Sequence, residues 1–193
     1  MTRTRSSLLE RVRDLDDDAG WEEFNRLYRP LLMKYAQRRG LKGDEAEEIA
    51  QQCLEVIVTR IREFQRRKSF RGWLRQMAEN KIKHHLGRKH AVEQPGMQAA
   101  LAAKDRDLTP AQIWEQQWNR THLLYCVASL RNDFAPHTLQ AFELYVLHGM
   151  PVEQISQALG MSRNQIYVAK SRVIRRIKDR FADMLEALYG VSR

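Results

Sequence analysis

Apolar residues recur along this chain at three- and four-residue spacings, and alternation at every second position is nearly absent. That period belongs to amphipathic helices and predicts an all-α protein. Phe24, Leu27, Tyr28, Leu31, Leu32 and Tyr35 form one stripe between Trp21 and Arg39. Pro30 lies inside it and is expected to kink or split the helix, and Arg38-Arg39-Gly40 to end it. Asp44, with Glu47 as capping partner, is expected to open a second helix, whose seam is Ala46, Ile49, Ala50, Cys53, Val56, Ile57, Ile61 and Phe64. Ser69 can cap a third, with Phe70, Leu74, Met77, Ala78 and Ile82 on its apolar face. Thr109-Pro110-Ala111-Gln112 marks another start by a capping box and a proline at the first position. Ile113, Trp114, Trp118, Leu123, Leu124, Val127 and Leu130 then suggest one long helix. A break near Asp133–Pro136 precedes a helix through Leu139, Phe142, Leu144, Tyr145 and Leu147, stopped by Gly149.

The most informative pattern follows, in PVEQISQALGMSRNQIYVAKSRVIRRIK from Pro151 to Lys178. Pro151 suits a first helical position. Ile155, Ala158 and Leu159 share a face, and Gly160 supplies a left-handed C-terminal residue. Ser162 and Gln165 form a capping box, so a second helix begins there with Ile166, Val173 and Ile177 as its seam. Its other faces carry Arg163, Asn164, Tyr167, Lys170, Arg172, Arg175 and Arg176. Two short helices, a glycine turn and a cationic second helix predict a helix-turn-helix able to enter a DNA major groove.

Punctuation divides the 193 residues into a leader at 1–20, which reads as mobile or partly helical, a helical domain at 21–92, a linker at 93–109, and a helical domain at 110–188. The linker segment, with Pro95-Gly96 and few large apolar residues, reads as flexible. The expected fold is therefore two small helical domains joined by a flexible linker, the second ending in the helix-turn-helix.

Charge changes the picture. The net charge is +9, and residues 60–90 hold eleven Lys/Arg against two acids, an excess equal to that of the whole chain. Between 163 and 180 there are seven Lys/Arg and one acid. Two separated cationic patches point to a polyanion, nucleic acid before an anionic membrane surface. In the first patch, Arg66, Arg67 and Lys68 form a loop, and Gln76, Asn80, Lys83 and Gly87 share a helical face with His84 beside it, followed by Arg88. Arg and Lys neutralise phosphates, while Asn and Gln can bond base edges. Phe64, Phe70 and Trp73 can stack on unpaired bases or simply fill a core. The helix from Asp44 is acidic at its start, through Asp44 and Glu45, which suits the helix dipole. Glu48, Gln51, Gln52 and Glu55 leave a polar face open to a basic partner.

No Gly-rich phosphate loop, metal-ligand spacing or nucleophile–base pair is present in the sequence, so an enzyme is disfavoured and no cofactor or metal is expected. Cys53 and Cys126 match no metal spacing and read as small buried hydrophobes in a reducing cytoplasm. Mean hydropathy is −0.60, with no apolar run long enough for a membrane span and no apolar signal-peptide core.

FNRLYRPLLMKYA, DEAEEIAQQCLEVI and SFRGWLRQMAENKIKHHLGRK resemble, in order and spacing, successive helices of the sigma-70 family of bacterial RNA polymerase sigma factors, of the compact extracytoplasmic-function type. FELYVLHGMPVEQISQALGMSRNQIYVAKSRVIRRI resembles that family's promoter-reading helix-turn-helix. The resemblance implies a promoter-specificity factor, not an enzyme, which binds core polymerase at the β′ clamp helices and the β flap. It implies that Asp44, Glu45, Glu48, Gln51, Gln52 and Glu55 dock on the clamp. Arg66, Arg67, Lys68, Trp73, Gln76, Asn80, Lys83, His84 and Arg88 would bind and help melt −10 DNA, with Asn80 matching a family Asn. Arg163, Asn164, Gln165, Tyr167, Lys170, Ser171, Arg172 and Arg175 would face the −35 element. An anti-sigma partner is a family-level expectation. The chain departs from the family at His84, where Asp is frequent, and in the separation of Ile166 from Ser171-Arg172. Two other readings stand beside it: a conventional operator-binding regulator that does not join polymerase, and a basic helical module for RNA or protein.

Overall fold

The computed structural model describes residues 8–64, 69–92 and 108–189, without the side chains of 89–92 and 182–189. The regular structure among the described residues is all helical, with no strand among them. Eight α-helices follow in order: α1 (Leu8–Arg11), α2 (Asp18–Arg38), α3 (Gly43–Arg60), α4 (Phe70–Val92), α5 (Pro110–Ser129), α6 (Pro136–Phe142), α7 (Val152–Leu159) and α8 (Arg163–Tyr189). Two compact units form, one ending at Thr121 and one over His122–Leu185.

In the first unit α2 packs on α3 and α4. Phe24, Leu31, Leu32 and Tyr35 of α2, Cys53 and Ile57 of α3, and Leu74 and Ile82 of α4 are fully buried. The expected split of α2 at Pro30 does not occur, since the helix runs unbroken from Asp18 to Arg38. Pro30 sits on the solvent face, while Leu27, Tyr28, Leu31 and Leu32 bury on both sides of it and outweigh the missing hydrogen bond. Gly40, at φ 98°, ends the helix region as expected.

α3 begins one residue earlier than expected. Glu45, not Glu47, is the capping carboxylate: its Oε2 accepts from the Lys42 backbone N–H at 2.7 Å. Glu47 pairs instead with Arg29 of α2. At α4 the Gly72 N–H donates to Ser69 Oγ at 3.2 Å, the expected cap.

Part of the presumed leader is tied to this unit. Val12 is fully buried, and Arg11 bonds Asp17 at 2.9 Å and Glu23 at 2.7 Å. Asp17 also accepts from the Gly20 N–H at 2.7 Å, which caps α2. The Arg11 guanidinium, with that N–H, holds the Asp17 carboxyl below its ordinary pKa. Residues 1–7 of the expected leader and 93–107 of the linker expected at 93–109 lie outside the described residues.

Thr109 and Gln112 cap α5 reciprocally, at 2.8 Å and 3.3 Å. The two compact units divide after Thr121, within α5. Trp114 lies 4.9 Å from Tyr35 with its ring nearly perpendicular, and Trp118 lies 5.9 Å from Tyr28. Both indoles are buried in the first unit, joined there by an Arg71–Glu115 ion pair. Periodicity marks which side of a helix is apolar and leaves open which neighbour covers it.

The second unit has two apolar clusters. Cys126, Val127, Leu130, Leu139, Phe142, Val173 and Ile177 form one. Ala141, Val152, Ile155, Ile166 and Ala169 form the other. Between α6 and α7 the helix widens into a π-helical turn over Glu143–Leu147, closed by the His148 N–H on Glu143 O at 3.1 Å. The extra residue lets Phe142 and Val146 pack on the first cluster while Leu144 and Tyr145 reach the second. Pro151 is the residue before α7 rather than its first. Gly160, at φ 63°, makes the expected left-handed stop, but Ala158 faces solvent rather than the core. Ser162 and Gln165 cap α8 at 2.7 Å and 3.2 Å.

Candidate nucleic-acid and partner interfaces

Three polar faces project from these cores. On α3, Asp44, Glu48, Gln51 and Glu55 are exposed and Gln52 is half-buried. Gln52 Nε2 donates to Glu48 Oε1 at 2.8 Å, and Gln51 Nε2 to Glu55 Oε1 at 3.1 Å. These one-turn pairs hold the carboxylates in fixed positions on a helix surface. Arg29 Nη1 reaches Gln51 at 3.5 Å. Glu45 differs from the other members of the set. It is half-buried, caps the helix, and lies 3.4 Å from His85 Nε2 of α4.

On α4, Gln76, Asn80, Lys83, His84 and Arg88 are exposed and line one side, with half-buried Trp73 at its start. Gln76 Nε2 donates to Asn80 Oδ1 at 2.9 Å, which leaves the Gln76 carbonyl and the Asn80 amide N–H groups on the surface. Trp73 stands 5.2 Å from Phe64 and 5.8 Å from Phe70, so an aromatic ledge opens beside the basic face. Arg66, Arg67 and Lys68 lie outside the described residues.

Behind this face sits a group that sequence reasoning missed. Glu79 is buried beside Arg39, 3.4 Å from Nη2, and its Oε1 has no hydrogen-bond partner. Burial pushes the Glu79 carboxyl above its ordinary pKa despite the Lys83 charge, and burial lowers Arg39. Residues 60–90 contain only two acids, and that scarcity was the one available sign. A carboxyl whose pKa rises on folding stabilises the fold less once pH climbs past its unfolded value of about 4.3. Glu79→Gln should therefore raise unfolding free energy at pH 7, with the gain fading toward pH 4. Urea unfolding of both proteins at the two pH values measures this. A loss at pH 7 would mean that the Arg39 contact outweighs the burial cost.

On α8, Ile166, Ala169, Val173 and Ile177 are buried, and Asn164, Ser171 and Arg175 point to solvent. Several of the side chains expected to face the −35 element are engaged within the unit. Arg163 pairs with Glu153 of α7 at 2.9 Å, and Gln165 serves the cap. Lys170 Nζ sits 5.0 Å above the Tyr145 ring, and Tyr167 meets the same ring edge-on at 5.9 Å. Arg172 lies 5.9 Å over Phe134. Tyr145 and Phe134 thus position cationic side chains of α8, a role their sequence neighbourhood did not signal. Asp133 accepts from Arg176 at 2.8 Å and Arg180 at 3.2 Å, which holds its pKa low and ties α8 to the turn before α6.

Among the described residues no group of three or more His, Cys, Asp or Glu is placed to hold a metal ion. Burial pushes both cysteine thiols up to about 12, which leaves them protonated and unreactive. Among the described helices none is long and apolar enough to cross a membrane.

Residues 25–92 match the family model described as sigma-70 region 2. No curated protein matches the chain.

Proposed function

We propose that the chain is a sigma-70 family promoter-specificity factor of the extracytoplasmic-function type which reads both the −10 and the −35 elements, a reading supported by the match of residues 25–92 to sigma-70 region 2. RNA polymerase core and promoter DNA are the partners that region 2 supports. The finer assignment is ours. The exposed acids and glutamines of α3 dock on the β′ clamp helices. The α4 face of Gln76, Asn80, Lys83, His84 and Arg88 holds −10 DNA, with the Trp73 ledge stacking against an unpaired base. The loop cations Arg66, Arg67 and Lys68 add phosphate contacts. The pair α7–α8 acts as a helix-turn-helix on the −35 element, and the second unit meets the β flap. Catalysis stays with the polymerase, and the factor works in the cytoplasm under an anti-sigma partner.

The observation that carries this reading is the region 2 match over a domain whose α4 presents one continuous basic and amide face. Two weak DNA contacts on one chain raise each other's effective concentration, so modest single-unit affinities suffice. The test mixes the protein with core polymerase and a promoter library and sequences the transcript starts. Initiation from a shared pair of elements is expected. Failure to associate with core would sink the reading, and site-specific DNA binding without core would make the chain an operator-binding regulator.

A further inference from the structure

We infer that Val168, with Tyr167 beside it, reads thymine through its C5 methyl group, which makes Val168 a specificity-determining residue of α8. The inference rests on the proposed reading of α8 as the −35 helix and adds which base edge that helix recognises. Its buried side is Ile166, Ala169, Val173 and Ile177. At about 100° per residue, the diametrically opposite stripe carries Asn164, Val168, Ser171 and Arg175. All four are exposed. A recognition helix lays this stripe along the floor of the groove, its N-terminal residues nearest the bases.

The long polar side chains around the stripe are occupied. Gln165 caps the helix, Arg163 is held by Glu153, and Lys170 and Arg172 lie over Tyr145 and Phe134. At the centre stands Val168, 46% exposed, next to Tyr167 at 47%. A merely solvated face would favour straight-chain polar residues, which form helices better than valine. The same helix carries seven Lys/Arg against one acid between 163 and 180, so its partner is anionic. Valine has no hydrogen-bonding atom and cannot read a donor or an acceptor. The apolar group on the major-groove edge of a base pair is the thymine methyl. Tyr167, fixed edge-on by Tyr145, extends the apolar surface by one ring.

The test uses full-length protein bound to core polymerase and a duplex library randomised over the −35 element. The selected duplex is then remade with deoxyuridine at each thymine in turn, which removes the methyl and nothing else. One or two thymines are expected to lose about fourfold in affinity, the worth of one buried methyl. Val168→Ala should weaken binding to the thymine duplex by a similar factor and erase the deoxyuridine penalty at that position. Alanine at an exposed helical site favours the helix, so the fold is not at risk. A specific selected sequence in which no deoxyuridine costs affinity, or an undiminished penalty in Val168→Ala, overturns methyl reading and leaves the −35 assignment standing. No selection at all would bring down the −35 assignment, and methyl reading with it.

Discussion

Phe70→Ala is expected to cost the first unit about 3–5 kcal/mol, a large share of the 5–15 kcal/mol typical of a domain. Phe70 is 2% exposed and opens α4. Its ring lies 6.0 Å from Phe24, 5.4 Å from Tyr28, 5.7 Å from Phe64 and 5.8 Å from Trp73. Truncation removes the transfer free energy of the ring and leaves a cavity that four aromatic rings cannot collapse into without leaving their rotamers. The same ring supports Phe64 and Trp73, so the ledge beside the basic face loses its seat together with the core. Urea unfolding at neutral pH measures the loss, with Phe70→Leu as the milder substitution. A cost below about 1 kcal/mol would place Phe70 outside the core keystone position assigned to it.

Local signals with fixed geometry were legible in the sequence. Thr109–Gln112 and Ser162–Gln165 close as capping boxes because one side chain three residues on can reach only one backbone N–H. Gly160 takes a positive φ because a helix that stops short there needs it. Signals that depend on a distant neighbour were not legible. Glu45 and Glu47 both lie near the start of α3, and only the position of Arg29 on α2 draws Glu47 away from the cap. Trp114 and Trp118 lie on an apolar stripe in any reading, yet the rings that cover them, Tyr35 and Tyr28, are about eighty to ninety residues earlier in the chain. Pro30 breaks a helix considered alone and is tolerated where flanking side chains are buried. The candidate sites divide the same way. The basic stripe of α4 follows from spacing, whereas the occupation of Arg163 and Lys170 depends on Glu153 and Tyr145, and the exposure of Val168 shows only once the seam is placed.

Reversing Glu48 and Glu55 together to lysine should weaken association with core polymerase at least about a hundredfold, roughly 3 kcal/mol. The two carboxylates are exposed on α3, seven residues and so about 10 Å apart on one side. Each is held by a one-turn glutamine bond, so neither has to give up much side-chain freedom on docking. In solution an exposed acid contributes little, and its replacement ordinarily shifts stability by no more than about 0.5 kcal/mol. Against a basic partner the balance changes, because reversal substitutes like-charge repulsion for attraction where water is being excluded. Arg29 already serves Glu47 and Gln51, so it is not released to relieve the reversal. Titration of labelled core with each protein reads the affinity, and urea unfolding of the variant verifies that α3 still folds. DNA binding by the second unit should remain, since Glu48 and Glu55 belong to the first. Unchanged affinity for core in a folded double variant would remove α3 from the polymerase interface, and the basic partner of this acidic face would then lie elsewhere.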